Sequence, residues 1–437
     1  MRFPSDFVWG AATAAFQIEG STTVDGRSDS IWDAFCRVQG AVRNGDTGDP
    51  AADHYRLMAE DVALMASLGL RAYRFSVAWP RIRPDGGATN PRGLDFYDRL
   101  VDTLLDNGID PWLTLYHWDL PQKLEELGGW ANRDTAYRFA DFTSSVTEHL
   151  ADRVVHWTTL NEPWCSAFLG YAAGIHAPGR TEPDAATAAV HHLMLAHGLG
   201  MQVIRENVPQ AVAGITLNLY PVAPVDPADE SDVDAARAVD GLQNRVFLDP
   251  VFDGRYPDDV LPGLADLVEP GDMELISAPI DYLGVNYYRD YVVSGGGEPR
   301  FPSEWIGAEH AAFPPRDLPL TDSGWEVNPD GLTTVLVSLK DRGVPLYVTE
   351  NGASYEGIDD YDRVAFLDTH LRAAAKAVEQ GVDLRGYFCW SLLDNFEWAE
   401  GYAKRFGLVH VDFATQTRTP KRSAQWFAKV IDTNEVR

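Results

Sequence analysis

Thr158-Thr159-Leu160-Asn161-Glu162-Pro163-Trp164 and Val348-Thr349-Glu350-Asn351-Gly352 share one design. Each begins as an apolar, β-branched run and ends on a glutamate followed at once by turn chemistry. That pattern reads as a buried strand with a carboxylate at its carboxyl end. Pro163 cannot continue a central strand, and Gly352 permits a tight exit from the second one. The two glutamates lie far apart in the chain, and a barrel of parallel strands brings such distant strand ends onto one rim.

Outward from these stretches the same unit repeats: a short apolar run, a loop, then an amphipathic stretch. Strands are expected over 7–16, 71–77, 109–117, 154–161, 211–220, 280–287, 344–349 and 384–391. Helices are expected over 53–67, 94–106, 135–150, 185–206, 231–247, 330–341, 364–380 and 421–431. Tyr55, Met58, Val62 and Met65 show the helical spacing, and Gly69 and Asn107-Gly108 punctuate helix ends. Eight strand–helix units favour an α/β fold, a single (β/α)8 TIM barrel over residues 1–437 with extended βα loops, rather than an open doubly wound sheet. Ser294 to Gly324 is rich in Gly and Pro, has little periodicity and is too long for a simple connection. It reads as a functional rim loop or a poorly ordered one. A domain boundary there is the competing reading, disfavoured because the alternation resumes and completes the eight.

Composition narrows the function classes. With 437 residues the chain can bury a sizeable core, and 45% hydrophobic against 23% charged residues is ordinary for a globular protein. A formal net charge of −29 argues against nucleic acid and against anionic membranes as partners. No run is apolar enough to span a membrane, and Met1 to Phe7 has no apolar signal region. The cysteines are Cys36, Cys165 and Cys389, an odd number without metal spacing, which fits reduced thiols in a cytoplasmic protein. Cys165 has no recognisable base beside it and reads as an inert thiol. His191, His192 and His197 match no metal motif and read as partly buried or solvated histidines. Oligomeric state is not legible.

Several strand ends carry polar or aromatic groups where a bland barrel would have loop residues: Gln17, Arg74, His117-Trp118, Asn161-Glu162, Asn286 with Tyr288, Glu350 and Trp390. The carboxyl ends of barrel strands are where chemistry sits. Two carboxylates facing a gap are the groups that glycosidic bond cleavage needs. Trp390, followed by Glu397 and Trp398, supplies flat apolar faces suited to a sugar ring and acceptors for its hydroxyls.

At these residues the chain resembles glycoside hydrolase family 1, and within it the bacterial β-glucosidases. The resemblance rests on Phe7-Val8-Trp9-Gly10-Ala11-Ala12-Thr13-Ala14-Ala15-Phe16-Gln17-Ile18-Glu19-Gly20, on the two glutamate stretches, and on Trp390-Ser391-Leu392-Leu393-Asp394-Asn395-Phe396-Glu397-Trp398. It implies that Glu350 is the nucleophile and Glu162 the general acid/base. It implies that Gln17, His117 with Trp118, Asn161, Glu397 and Trp398 bind the non-reducing sugar above Trp390. Tyr288 would hold Glu350, with Arg74 beside the same carboxylate. Asn286 would lie close to Glu162 at the substrate, and Trp164 and Trp325 would border the leaving group. A cis peptide between Trp390 and Ser391 is also implied.

The implied reaction is retaining hydrolysis of small β-glucosides or cello-oligosaccharides, with no cofactor and no metal. It calls for an ionised Glu350, favoured by Arg74 and Tyr288, and a protonated Glu162, favoured by the charge on Glu350. Relatives that act on 6-phosphosugars place a serine and a lysine around the position of Glu397. A carboxylate there is expected to repel phosphate, and Lys404 and Arg405 are not expected to fold back as substitutes. Two other readings stay open: a sugar-binding protein on an inactive barrel, which has no need of both glutamates, and a transglycosidase, in which a sugar rather than water accepts the intermediate.

Overall fold

In the computed structural model, which describes all of residues 1–437, eight parallel strands close into a barrel. They are β1 (Val8–Ala12), β2 (Ala72–Ser76), β3 (Asp110–Tyr116), β4 (His156–Asn161), β5 (Val212–Asn218), β6 (Tyr282–Asn286), β7 (Leu346–Asn351) and β8 (Leu384–Trp390). Each pairs with its neighbour in sequence, and β8 closes on β1. Parallel neighbours need crossover helices, and the amphipathic stretches supply them. In Pro91–Asp106, Leu94, Tyr97, Val101 and Leu104 are buried at helical spacing, so one stripe faces the barrel. Pro91 opens that helix three residues before the expected start, where its missing N–H costs nothing.

The barrel is filled, not hollow. Near the amino ends of the strands, the Trp112 ring packs 4.8 Å from Tyr347, 5.0 Å from Phe388 and 5.6 Å from Tyr282, making an aromatic floor. The open end is therefore the carboxyl rim. Strand register assembles that rim: Ala12 pairs with both Trp390 and Arg74, Asn218 with Asn286, and Asn286 with Glu350. Gly352 is required by contact, since a Cβ there would lie 1.7 Å from the Trp390 carbonyl oxygen.

Three expectations are corrected. The 7–16 run is a strand only to Ala12, and Ala15–Ile18 then turns as a helix carrying Gln17. The strand expected to stop at Thr349 continues to Asn351, so Glu350 sits within it. The helix expected over 231–247 is two helices, Glu230–Asp240 and Val246–Asp253, joined by a wide turn. Two short pairings were not foreseen: Val222–Pro224 with Tyr291–Val293, and the hairpin of Val409–Asp412 with Thr417–Pro420.

The stretch 294–324 lies on the rim and is tied down. Ser294 bridges Ala312, Trp305 is buried 5.5 Å from the Trp164 ring, and Arg316 binds both Asp290 and Glu326. No helix is long and apolar enough to cross a membrane.

Candidate active site

Glu162 follows the end of β4 and Glu350 lies on β7, and both are almost fully buried, at 5% and 3% exposure. Their partners differ, and that difference assigns them distinct chemistry. Arg74, from β2, places Nη1 2.6 Å from Glu350 Oε1. The Tyr288 hydroxyl donates to Glu350 Oε2 at 2.7 Å. Burial and the charge on Glu350 hold that phenol well above its usual pKa, so it remains a donor. Glu162 has no cation in contact. Asn286 Nδ2 donates to its Oε1 at 2.7 Å, and the Cys165 thiol donates to its Oε2 at 3.1 Å.

Burial pushes both carboxyls up; the Arg74 guanidinium pulls on both, but it bonds Glu350 directly and reaches Glu162 only through its charge, as the last of the causes acting there. Glu162 is driven to about 8, by desolvation first and the charge of Glu350 second. Glu162 therefore holds a proton more readily than an ordinary carboxyl, while Arg74 and Tyr288 favour the ionised form of Glu350. A carboxyl can donate a proton only below its pKa, so Glu162 is able to do so below about pH 8 and loses that ability as pH rises through that value.

An amide network sets the remaining donors and acceptors. Asn161 Oδ1 accepts from Arg74 Nη2 at 2.6 Å and from Asn286 Nδ2 at 3.1 Å. Its Nδ2 must then be the donor to His117 Nε2, 3.1 Å away. Burial, with Arg74 nearby, keeps His117 well below its ordinary pKa and so neutral. The tautomer follows: Nδ1 carries the hydrogen, and that buried atom has no protein partner. Gln17 is fixed in the same way. Its Nε2 donates to the Phe396 carbonyl at 2.8 Å, to Asn395 Oδ1 at 3.1 Å and to Glu397 Oε2 at 3.4 Å, and its buried Oε1 is left without a partner. Burial, then the charge of Glu350, pushes Glu397 up to about 8. One donor, one acceptor and one carboxyl thus remain free to meet hydroxyl groups.

These groups border a cavity of about 390 Å³. Its wall includes His117, Trp118, Glu162, Trp164, Tyr288, Trp325, Glu350, Trp390, Glu397 and Trp398. Arg74, Asn161 and Asn286 are not part of that wall but hold residues that are, and Gln17 adjoins Glu397 with its Oε1 unpartnered. The Trp390 and His117 rings stack at 5.8 Å, Trp118 meets Trp398 at 4.6 Å, and Tyr288 meets Trp325 at 5.4 Å. The Trp390–Ser391 peptide is cis.

Glu162, Trp118 and Trp398 all adopt positive φ, at 47°, 72° and 50°. Each such residue costs about 1–3 kcal/mol and persists only where its surroundings over-determine it. Here the Glu162 amide is tied to the Thr216 carbonyl at 3.0 Å and Trp118 Nε1 to the Asn161 carbonyl at 2.9 Å.

Some expectations were wrong here and some residues were missed. Lys404 does line the cavity, with its ammonium on the Asp322 carbonyl, whereas Arg405 turns away to Asp394 at 2.8 Å. His191, His192 and His197 are buried rather than solvated, bonded to Asp272, the Trp130 carbonyl and Thr159. Thr349 donates to Asn286 Oδ1 at 2.7 Å and so orients the amide that holds Glu162. Its place in the Val348 to Gly352 run was the available signal. Cys165 is not idle, since its thiol holds Glu162; three residues of separation on a helical turn was the only hint. Because that hydrogen bond favours the ionised carboxylate, Cys165→Ala is expected to move the alkaline limb of kcat/KM upward. An unmoved limb in a folded variant would show the contact to be incidental.

Residues 1–436 match the model of glycosyl hydrolase family 1. The chain is 50% identical to the thermostable beta-glucosidase B of Thermobispora bispora, covering 100% of this chain and 92% of that one. The crystal structure of a psychrophilic beta-glucosidase from Micrococcus antarcticus superposes with a TM-score of 0.96 at 53% identity, covering 100% of this chain and 98% of that one. The Thermotoga maritima beta-glucosidase in complex with deoxynojirimycin superposes with a TM-score of 0.93 at 42% identity, covering 100% of both chains.

Proposed function

The chain belongs to glycosyl hydrolase family 1, and from that footing we propose how its residues divide the work of a retaining β-glucosidase. It hydrolyses terminal non-reducing β-D-glucosyl residues by double displacement. Glu350 attacks the anomeric carbon, and Glu162 gives its proton to the departing oxygen. Once the sugar is bonded to Glu350, that negative charge is gone, and the largest charge raising the Glu162 pKa goes with it. Glu162 then gives up a proton more easily and acts as base toward water. The observation that carries this division is the asymmetry of partners: Arg74 on Glu350, and an amide and a thiol on Glu162.

The sugar lies over Trp390, with Gln17, His117 and Glu397 meeting its hydroxyls and Trp398 closing the far end. Trp118, Asn161 and Asn286 position these groups, and the leaving group departs between Trp164 and Trp325. Residues 1–437 act as one catalytic domain on small β-glucosides or cello-oligosaccharides. The buried free thiols of Cys36, Cys165 and Cys389 support a cytoplasmic location.

A neutral rather than 6-phosphorylated sugar is the substrate. Glu397 is held up near 8 and repels less than a bare carboxylate would, and Lys404 is on the wall. Even so, Glu162, Glu350 and Glu397 already share one desolvated cavity, and a dianion would add like charge to Glu350. p-Nitrophenyl β-glucoside should turn over faster than its 6-phosphate, with β-glucose the first product seen by proton NMR, and Glu397→Ser should narrow the gap. α-Glucose appearing first would reject retention, and faster turnover of the phosphate would reject the substrate class.

A further inference from the structure

Arg289 is the only guanidinium on the cavity wall, and it is also part of the wall of a second hollow of about 350 Å³ alongside. It forms no ion pair. Two acids on the same hollow are already taken: Arg316 binds Asp290 through two hydrogen bonds, at 2.7 and 2.8 Å, and reaches Glu326 at 2.6 Å. Glu304 lines the smaller hollow as well and acts on Arg289 through its charge without closing an ion pair, and the Tyr291 hydroxyl is the polar group in hydrogen-bond contact with the guanidinium. In a chain of net charge −29, a guanidinium without an ion pair on the wall of a cavity that also holds Glu162, Glu350 and Glu397 is conspicuous.

It is also held in place. Its carbon lies 5.1 Å from the centre of the Tyr291 ring and 5.4 Å from that of Trp325, so two aromatic faces bracket it. Trp325 borders the leaving-group side of the main cavity, and Trp305, Phe313 and Pro314 line the hollow beyond. An aromatic ring entering that side would meet apolar faces and then a planar cationic fork matched to a carboxylate.

We propose that Arg289 selects β-glucosides whose leaving group is an aromatic acid, its guanidinium binding the carboxylate while the ring rests among Trp305, Phe313 and Trp325. This rests on the retaining β-glucosidase reading, and adds to it the chemical class of the leaving group.

The probes are 4-carboxyphenyl β-glucoside and its uncharged carboxamide. The readout is the ratio of their kcat/KM values, compared between wild type and variant so that leaving-group basicity cancels. Arg289→Gln should lower the carboxylate-to-carboxamide ratio about 10-fold, mainly through KM for the acid, the scale of one charge-assisted hydrogen bond partner. Arg289→Lys, which keeps the charge without the fork, should retain part of the preference. A purely structural role would depress both substrates together and leave the ratio unmoved, and that result overturns the proposal while the glycosidase reading stands. If wild type cleaves neither compound, the glycosidase reading itself fails.

Discussion

Glu350→Ala should lower hydrolysis of every β-glucoside by about 10⁴-fold or more, the scale on which removing a nucleophile acts. The methyl leaves no oxygen to attack the anomeric carbon, and neighbouring donors cannot replace it. The substitution also leaves Arg74 buried at 1% exposure without its carboxylate partner. Glu350→Gln, which keeps a polar partner, is therefore the folding control. Azide should restore turnover, because a small anion fits the vacated space and attacks from the same face. The product should be the α-glucosyl azide, inverted relative to the substrate. A retained β-azide would mean that the roles of Glu350 and Glu162 are exchanged.

Glu162→Gln should separate substrates by leaving group. Cellobiose and alkyl glucosides need a proton on the departing oxygen and should lose about 10²–10⁴-fold, the usual contribution of general acid catalysis. 2,4-Dinitrophenyl β-glucoside departs unaided and should lose far less in its glycosylation step. Its later step needs Glu162 as base, so a burst of dinitrophenol followed by slow turnover is expected. The glutamine keeps the shape and can still pair with Asn286, so the effect reports the lost proton rather than a collapsed site. An equal loss of glycosylation rate across leaving groups would sink the assignment.

How much of this was legible depended on how local each signal was. The strand ending in Glu162 was readable because Pro163 stops it. The first strand was overrun because Thr13-Ala14-Ala15-Phe16 is as apolar as the strand before it, and an apolar run alone does not separate strand from buried helix. The strand runs past Thr349: Glu350 and Asn351 remain in it because β6 and β8 both pair with that end. The positive φ at Glu162, Trp118 and Trp398 had no signal at all, since neither Glu nor Trp favours that region.

The alternation of eight strands with helices, the two glutamates at strand ends and the aromatic and polar residues that gather with them were all legible along the chain. These are short-range patterns, written in the spacing of apolar residues and the placement of Pro and Gly. The closed barrel adds which nitrogen of His117 carries its hydrogen, that Cys165 holds Glu162, and that Arg289 has no ion pair while Arg316 takes both Asp290 and Glu326. Each of those outcomes depends on distances of a few ångströms between residues remote in the chain and on how completely water is excluded from them. Neither quantity exists until the barrel has closed.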